Sequence, residues 1–307
     1  MFVSLLLLDE LVNVFSYSFI LYHKSDHMRI PIPEMDKRYD SVEDAIDHTV
    51  RICTVIIDKA CEKWPTPSVS DMPGYILVIC RKILTQFSTL TYVSRQRNDY
   101  NTVCSLVRIL ADSIATLNLI YCCDDDEERI IRHLLYVLDG ISERDHLLNE
   151  RYPEYDGRIS RELFNSLCTQ YQEAKENAKG CIKYCIETIK KSPYYSTHQV
   201  ELDVLIQRRN WKFKTISEPK PKDGYSWKDM YQMLKINMAD EMFPYLSQYI
   251  HGLSISNILL NDKDDFDAPL SFAFCLLGWL LIFLRRVYGP HIEEYTIEDI
   301  KRMMPNN

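Results

Sequence analysis

A run of 17 residues without a charged side chain, Ala268–Leu284, constrains the fold of this chain more than any other segment. It reads APLSFAFCLLGWLLIFL, and Arg285 and Arg286 follow it directly. A helix that is apolar on every side must be surrounded by other helices or by lipid. Because a membrane span needs about 20 apolar residues, we predict a buried central helix over residues 269–288. A short membrane span with a basic flank is the alternative.

The rest of the chain, from Asp36 onward, predicts further helices. Apolar residues recur at the spacings of three and four that place them on one helix face, within residues 40–63, 75–93, 101–122, 160–191 and 245–260. No set of strands with alternating polarity accompanies them. The sequence therefore predicts an all-α fold, a multi-helix bundle with antiparallel helices around the buried hydrophobic helix.

Several residues indicate where individual helices begin and end. A helix that begins at Asp124, under a run of acidic residues, is expected to end at Gly140. Another begins at Ser226, and Pro244 is expected to kink or divide the helix around it. A last short helix is predicted over residues 297–304.

The first 22 residues are strongly apolar, but Asp9 and Glu10 interrupt them and no basic residue precedes them. This pattern is not typical of a signal peptide. Residues 1–35 are therefore interpreted as an N-terminal hydrophobic appendage, either an amphipathic helix that docks on the domain or residues upstream of a start at Met28 or Met35. Residues 36–307 are predicted to form a single helical domain.

Composition excludes several classes of function. The chain has eight glycines and contains neither G-x-G-x-x-G nor G-x-x-x-x-G-K-[ST], which excludes the two common phosphate-binding loops. A net charge of −8 gives the chain no overall electrostatic attraction for nucleic acid. Ten cysteines without a C-x-x-C pair are typical of reduced thiols, so we expect a cytoplasmic protein without a cofactor, with membrane association as the alternative.

Two polar strips on otherwise apolar helices are the candidate catalytic residues. Arg108 and Asp112 are one turn apart on the helix 101–122, and Ser247 and His251 are one turn apart on a later helix. A serine beside a histidine can be activated as a nucleophile. The preferred interpretation is a structural ion pair and a histidine bonded within the core, with catalysis as the alternative.

These same residues carry a family resemblance. The helix VRILADSIATLNLIY, with Arg108 and Asp112, and the later YLSQYIHG, with Tyr245, Ser247 and His251, resemble a bacterial all-helical domain of unknown function, the DUF5677-like family. The family usually carries glutamate where this chain has Asp112. The resemblance covers roughly residues 75–260 and implies an all-helical fold with Arg108, Tyr245, Ser247 and His251 as its polar centre; it implies no reaction.

Metal and nuclease patterns are weak in this sequence. Glu143 and His146 have E-x-x-H spacing without a second copy, so no metal site is predicted. An R-x(4–6)-H pattern of the kind used by helical ribonucleases joins Arg285 or Arg286 to His291. Chance alone supplies about 1.4 such matches in a chain with this many arginines and histidines.

Residues 207–228 combine basic and aromatic side chains in a way that can bind nucleic acid. Seven basic residues stand against Glu218 and Asp223, which gives a local charge of +5. Basic groups contact phosphates and aromatic rings stack on bases, so weak candidates for binding single strands are Arg208, Arg209, Trp211, Lys212, Phe213 and Lys214. The alternative, which we prefer, is a surface linker whose aromatic rings pack on the core.

Together these features favour a helical interaction module in a bacterial defence or stress system. Its partner would be another protein or a second copy, while single-stranded nucleic acid and membrane are less favoured. The alternatives are a metal-independent nuclease, with His251 or His291 acting beside Arg108 or Arg286, and a membrane-associated protein.

Overall fold

The computed structural model describes residues 39–150, 153–217, 223–250 and 263–292. These residues form ten α-helices and two short 3-10 helices, and none of them belongs to a β-strand. The predicted all-α multi-helix bundle is confirmed. Residues 1–38, which include the predicted N-terminal appendage, lie outside the described residues.

The chain divides into two compact units. The first runs to Asn118 and resumes at Trp227. Its helices are α1 (Val42–Lys63), α2 (Met72–Arg97), most of α3 (Tyr100–Tyr121), α8 (Trp227–Met233), α9 (Ala239–Ile250) and α10 (Asp267–Tyr288). The 3-10 helices Lys263–Phe266 and Gly289–His291 flank α10.

The second unit, Leu119–Ser226, contains the end of α3 and four further helices. These are α4 (Asp126–Glu150), α5 (Arg161–Lys190), α6 (Pro193–Thr197) and α7 (Gln199–Arg208). α4 and α5 pack along each other as a helical hairpin. The chain forms two compact units, and the single helical domain over residues 36–307 stays a prediction.

α10 forms the core of the first unit. Fifteen of its 22 residues are buried, α1 packs along it, and α2 packs against α1. The Tyr288 hydroxyl donates a hydrogen bond to the Pro73 carbonyl at 2.7 Å, which ties the end of α10 to the start of α2. Arg285 and Arg286 are exposed. The prediction of a buried helix is confirmed.

Three helices among the described residues are long and apolar enough to cross a bilayer, judged by length and composition alone. They are Met72–Arg97, Tyr100–Tyr121 and the helical segment Asp267–His291. In the last of these, 78% of the most apolar window is buried inside the protein. Cytoplasmic and membrane-associated locations both stay predictions.

Two helix boundaries differ from those predicted. α4 does not end at Gly140 but continues to Glu150. Glycine costs a helix about 1 kcal/mol relative to alanine, and the packing of α4 on α5 offsets that cost. α9 runs through Pro244 without ending, and the proline is exposed, so its ring does not disturb the packed side of the helix. The predicted helix over residues 297–304 lies outside the described residues.

Candidate functional site

Arg108 stands at the middle of α3 and is only 7% exposed. Its Nε donates to Asp112 Oδ1 at 3.2 Å, and its Nη1 donates to Ser247 Oγ on α9 at 3.1 Å. The Ser247 hydroxyl in turn donates to the Phe243 carbonyl at 2.7 Å, so its oxygen is available to accept from the arginine. The structure thus brings together three of the four predicted residues. The fourth, His251, lies outside the described residues.

Two aromatic rings enclose the same guanidinium. The carbon of the Arg108 guanidinium lies 4.4 Å from the centre of the Phe243 ring and 5.3 Å from that of Tyr231. A cation over a ring face is attracted by the ring quadrupole, more strongly where water is excluded. We call Arg108, Asp112, Tyr231, Phe243 and Ser247 the Arg108 centre.

Tyr231 completes the Arg108 centre from α8. Its hydroxyl donates to Asp112 Oδ1 at 2.9 Å. Burial, and then the negative charge of Asp112, raise the pKa of Tyr231, so the hydroxyl keeps its proton and remains a donor. Asp112 therefore accepts from both Arg108 and Tyr231, which compensates the burial of an arginine that would otherwise be costly.

A cluster of tyrosines lies beside the Arg108 centre, at the start of α3. The Tyr100 and Tyr245 hydroxyls are hydrogen-bonded, and Tyr249 donates to the Tyr245 oxygen at 3.4 Å. The Tyr100 ring packs edge-on against Tyr249 and Phe266. Burial and the bond to Tyr245 raise the pKa of Tyr100. Sequence analysis missed this cluster, although Tyr245 and Tyr249 stand one helical turn apart.

The geometry of the Arg108 centre is that of a closed structural contact. Its arginine bonds Asp112 and Ser247 and packs against two rings, and an arginine that binds a scissile phosphate must instead reach an open cleft. A catalytic role of Arg108, Asp112, Ser247 and His251 stays a prediction. The Arg108 centre fixes α8 and α9 against α3.

The second candidate nuclease pair lies at the end of α10. Arg286 and His291 are both exposed. The His291 ring packs edge-on against Trp64, with ring centres 5.6 Å apart. The α-helix ends at Tyr288, and Gly289–His291 form a 3-10 helix. Arg286 and His291 therefore do not lie on one α-helix, as the R-x(4–6)-H pattern assumes.

The basic and aromatic segment differs from a nucleic-acid surface, and two of its candidates require correction. Trp211 is 7% exposed and Phe213 is fully buried. The Phe213 ring lies 3.9 Å from the buried Arg132 guanidinium carbon, and Trp211 Nε1 donates to Asp139 at 3.3 Å. Rings used in this way cannot stack on bases, because the apolar core of the second unit already covers them.

The basic side chains of the same segment are partly neutralised. Arg209 bonds Glu143 at 3.0 Å, and Lys214 lies 4.0 Å from Asp223. Lys212 lies over the Trp211 ring, while Arg208 is exposed at the end of α7. The preferred alternative, a linker whose aromatic rings pack on the core, matches the described residues of this segment. Residues 218–222 lie outside them.

No cluster of three potential metal ligands occurs within the part of the chain that the structure describes. His146 bonds Glu150 at 3.1 Å on the exposed side of α4. All ten cysteines are free thiols, and the Cys181 and Cys185 thiols are hydrogen-bonded to each other one turn apart on α5.

A shallow cavity of about 280 Å³ opens between α1 and α2. Its walls include Val50, Ile57 and Leu84, and Arg81 bonds Asp58 at its edge at 2.7 Å. Ligand pockets usually span roughly 300–1,000 Å³ and present convergent polar groups. Here the two charged groups bond each other, so the cavity presents little to a ligand.

The α4–α5 hairpin carries a feature that sequence analysis missed. Among its described residues from Asp139 to Asn177, none is buried. Apolar side chains are nevertheless exposed there, led by Leu147 (54%) and Leu163 (51%). Soluble proteins seldom gather exposed apolar side chains in one place without a binding role.

Some of these exposed apolar side chains belong to a regular line of exposed and half-buried residues along α5, which we call the α5 stripe. Its members alternate in spacing between four and three and carry no charge; they are Leu163, Leu167, Gln170, Ala174, Asn177, Cys181 and Tyr184. Leu167 is 44% exposed and Tyr184 38%. The 3/4 spacing was visible in the sequence, but the interpretation of residues 160–191 as one helix did not distinguish its two faces.

Comparisons of the chain with protein-family models, curated protein sequences and solved structures found no match. The resemblance to the DUF5677-like family stays a prediction.

Proposed function

We propose that this protein is a helical interaction module and that the α5 stripe is its binding surface. The observation that carries the proposal is that the α5 stripe, seven residues between Leu163 and Tyr184, contains exposed leucines and no charged residue. Such a line resembles the seam along which one helix packs against another. A role in a bacterial defence or stress system stays part of the proposal.

The nuclease alternative has less support. Its first arginine, Arg108, is 7% exposed and already bonded to Asp112 and Ser247. Its second, Arg286, is exposed, but its candidate partner His291 packs against Trp64. The bonded Arg108 and the packed His291 therefore give little support to an arginine and a histidine that act together in an open cleft.

Site-specific photo-crosslinking tests the proposal. A benzophenone side chain placed at Leu167 should crosslink a discrete protein in cells that express the full chain. The same group at Gln172, which is exposed on the opposite flank of α5, is the matched control. Equal crosslinking at both positions, or none at Leu167, contradicts a binding surface at the α5 stripe.

A second arm connects the crosslink to the apolar character of the surface. Leu163→Ser should abolish the crosslink from position 167, because it replaces an exposed apolar contact by a small hydroxyl. Unchanged helicity by circular dichroism shows that the variant is folded. A crosslink that survives this change assigns the binding to another surface.

A further inference from the structure

We infer that the partner of the α5 stripe is the same stripe of a second copy of this chain, paired with it as antiparallel helices. This inference rests on the proposed function and names its partner.

The spacing of the α5 stripe is that of a helix seam. Steps of four and three residues place successive side chains on one line when helices wrap around each other. α4 packs along α5. Ala178, Cys185 and Ile189 are the buried residues of α5. The α5 stripe runs beside these buried residues: Ala174 and Cys181 are half-buried, and its five other members are exposed to a further helix.

The charge pattern of α5 permits pairing with a second copy. Nine of the 30 residues of α5 are charged and none belongs to the α5 stripe; they are Arg161, Glu162, Glu173, Lys175, Glu176, Lys179, Lys183, Glu187 and Lys190. In a two-fold interface the same surface faces itself, so a charge near the axis meets its own copy. Because the α5 stripe carries no charge, two copies of it can face each other along its whole length without like-charge repulsion.

The flanking residues select one register. With Ala174 opposite Asn177 of the second copy, Gln170 faces Cys181 and Leu167 faces Tyr184. Glu173, which borders the α5 stripe, is then level with Ala178 of the second copy, and Gly180 is its nearest neighbour on the flank of that copy that faces it. A Cβ added at Gly180 would meet nothing within 4 Å, so the position has room for a neighbouring side chain. A shift by one heptad brings Glu173 opposite its own copy, which like-charge repulsion disfavours.

Sedimentation velocity tests the association. The apparent mass should rise from 36.2 kDa towards twice that value as the concentration increases about a hundredfold. The double variant Leu163→Glu/Leu167→Glu should remain at 36.2 kDa throughout. Gln172→Glu adds a charge to the opposite flank and should associate as the wild type does. A wild type that is monomeric at every concentration, or a double variant that associates equally, overturns the inference.

The register has its own test. Gln170→Cys should form a disulfide with Cys181 of the second copy on oxidation with diamide, identified by peptide mapping. The same variant with Cys181→Ser should lose the crosslinked dimer, and Gln172→Cys should form none through Cys181. A dimer linked through position 172 and not 170 places the contact on the other flank and overturns the inference.

The outcomes separate this inference from the proposed function. A monomeric wild type that still crosslinks another protein from Leu167 overturns self-association and leaves the interaction module supported. A monomeric wild type with no crosslink from Leu167 overturns both.

Discussion

Arg108 and Ser247 are 139 residues apart in the chain, yet the Arg108 Nη1 donates to the Ser247 Oγ across 3.1 Å. The bond joins α3 to α9, and Asp112 and Tyr231 extend it to α8. Because the guanidinium is buried, its contribution to the stability of the fold depends on every hydrogen-bond partner being present. The predictions for the Arg108 centre follow from this dependence.

Arg108→Ala is expected to destabilise the protein by about 2 to 4 kcal/mol, since it leaves Asp112 and Ser247 without their shared donor. Arg108→Met retains the volume and should cost less. Tyr231→Phe removes one hydrogen bond and should cost about 1 kcal/mol. Urea unfolding followed by circular dichroism measures all three. A loss below about 0.5 kcal/mol for Arg108→Ala would mean that the centre contributes little to folding.

Phe213→Ala is expected to destabilise the protein by about 3 to 5 kcal/mol, because the ring is fully buried and covers Arg132. Arg208→Ala, at an exposed position, should change stability by less than about 0.5 kcal/mol. Thermal unfolding compares the two. If the two variants melt alike, residues 207–217 do not form part of the core of the second unit.

The same segment should bind single-stranded nucleic acid negligibly. Filter binding at low salt should give equal retention for the wild type and for a variant with Arg208, Arg209, Lys212 and Lys214 changed to alanine. Retention that depends on these four residues and falls steeply with salt would restore the nucleic-acid interpretation.

The fold was predictable from sequence to the extent that periodicity determines it. The uncharged run 268–284 and the 3/4 spacing elsewhere predicted α10 and the long helices, because burial of an apolar face is what stabilises them. Gly140 and Pro244 were misleading, since their local costs are smaller than the packing of α4 and α9. α6 and α7 were not predicted; α6 has only five residues, and its boundaries depend on Pro193 and on local turns.

The candidate site was predictable only in part. Polar side chains on apolar strips indicated that Arg108, Asp112 and Ser247 would meet, because a buried charge needs partners. Tyr231 could not be assigned to the centre, since nothing in the spacing of α8 relates it to α3. Phe243 was missed although it stands one helical turn before Ser247 on α9. Trp211 and Phe213 were assigned as candidates for stacking on bases although both are buried, because composition describes which groups are present and not which of them face the core.

Five cysteines should resist alkylation in the folded protein. Burial raises the pKa of Cys104, Cys185 and Cys275 to about 12, and it raises the pKa of Cys53 and Cys80 as well. Thiols with raised pKa hold their proton at neutral pH and react slowly. Mass spectrometry after brief iodoacetamide treatment should find these five unmodified in the native state, and all ten modified in guanidinium. Rapid native labelling of any of the five contradicts its burial.

The burial of α10 leads to a prediction about extraction. A buried core helix should leave the full-length protein in the supernatant after alkaline washing of membranes, because its apolar surface is already covered by protein. A bilayer-spanning form would resist the wash. Retention in the membrane pellet would support the membrane-associated alternative for Asp267–His291 and contradict the buried-helix interpretation.

His48 should make the stability of the first unit sensitive to acid. Burial, and then the positive charge of Arg51, lower the pKa of His48, which packs against Tyr39. In the unfolded chain the histidine has its ordinary pKa of about 6.5. Above that pH both states are neutral and His48 contributes no pH dependence. Below it the unfolded state binds a proton that the folded state refuses, so stability falls until the pH reaches the lowered pKa.

His48→Gln isolates this contribution, because glutamine cannot titrate and the carboxylates of the chain remain the same in both proteins. Urea unfolding at pH 7.5 and at pH 5.0 should show a larger loss of unfolding free energy for the wild type than for the variant. Equal losses for the two proteins would show that His48 takes up its proton as readily in the folded state as in the unfolded chain.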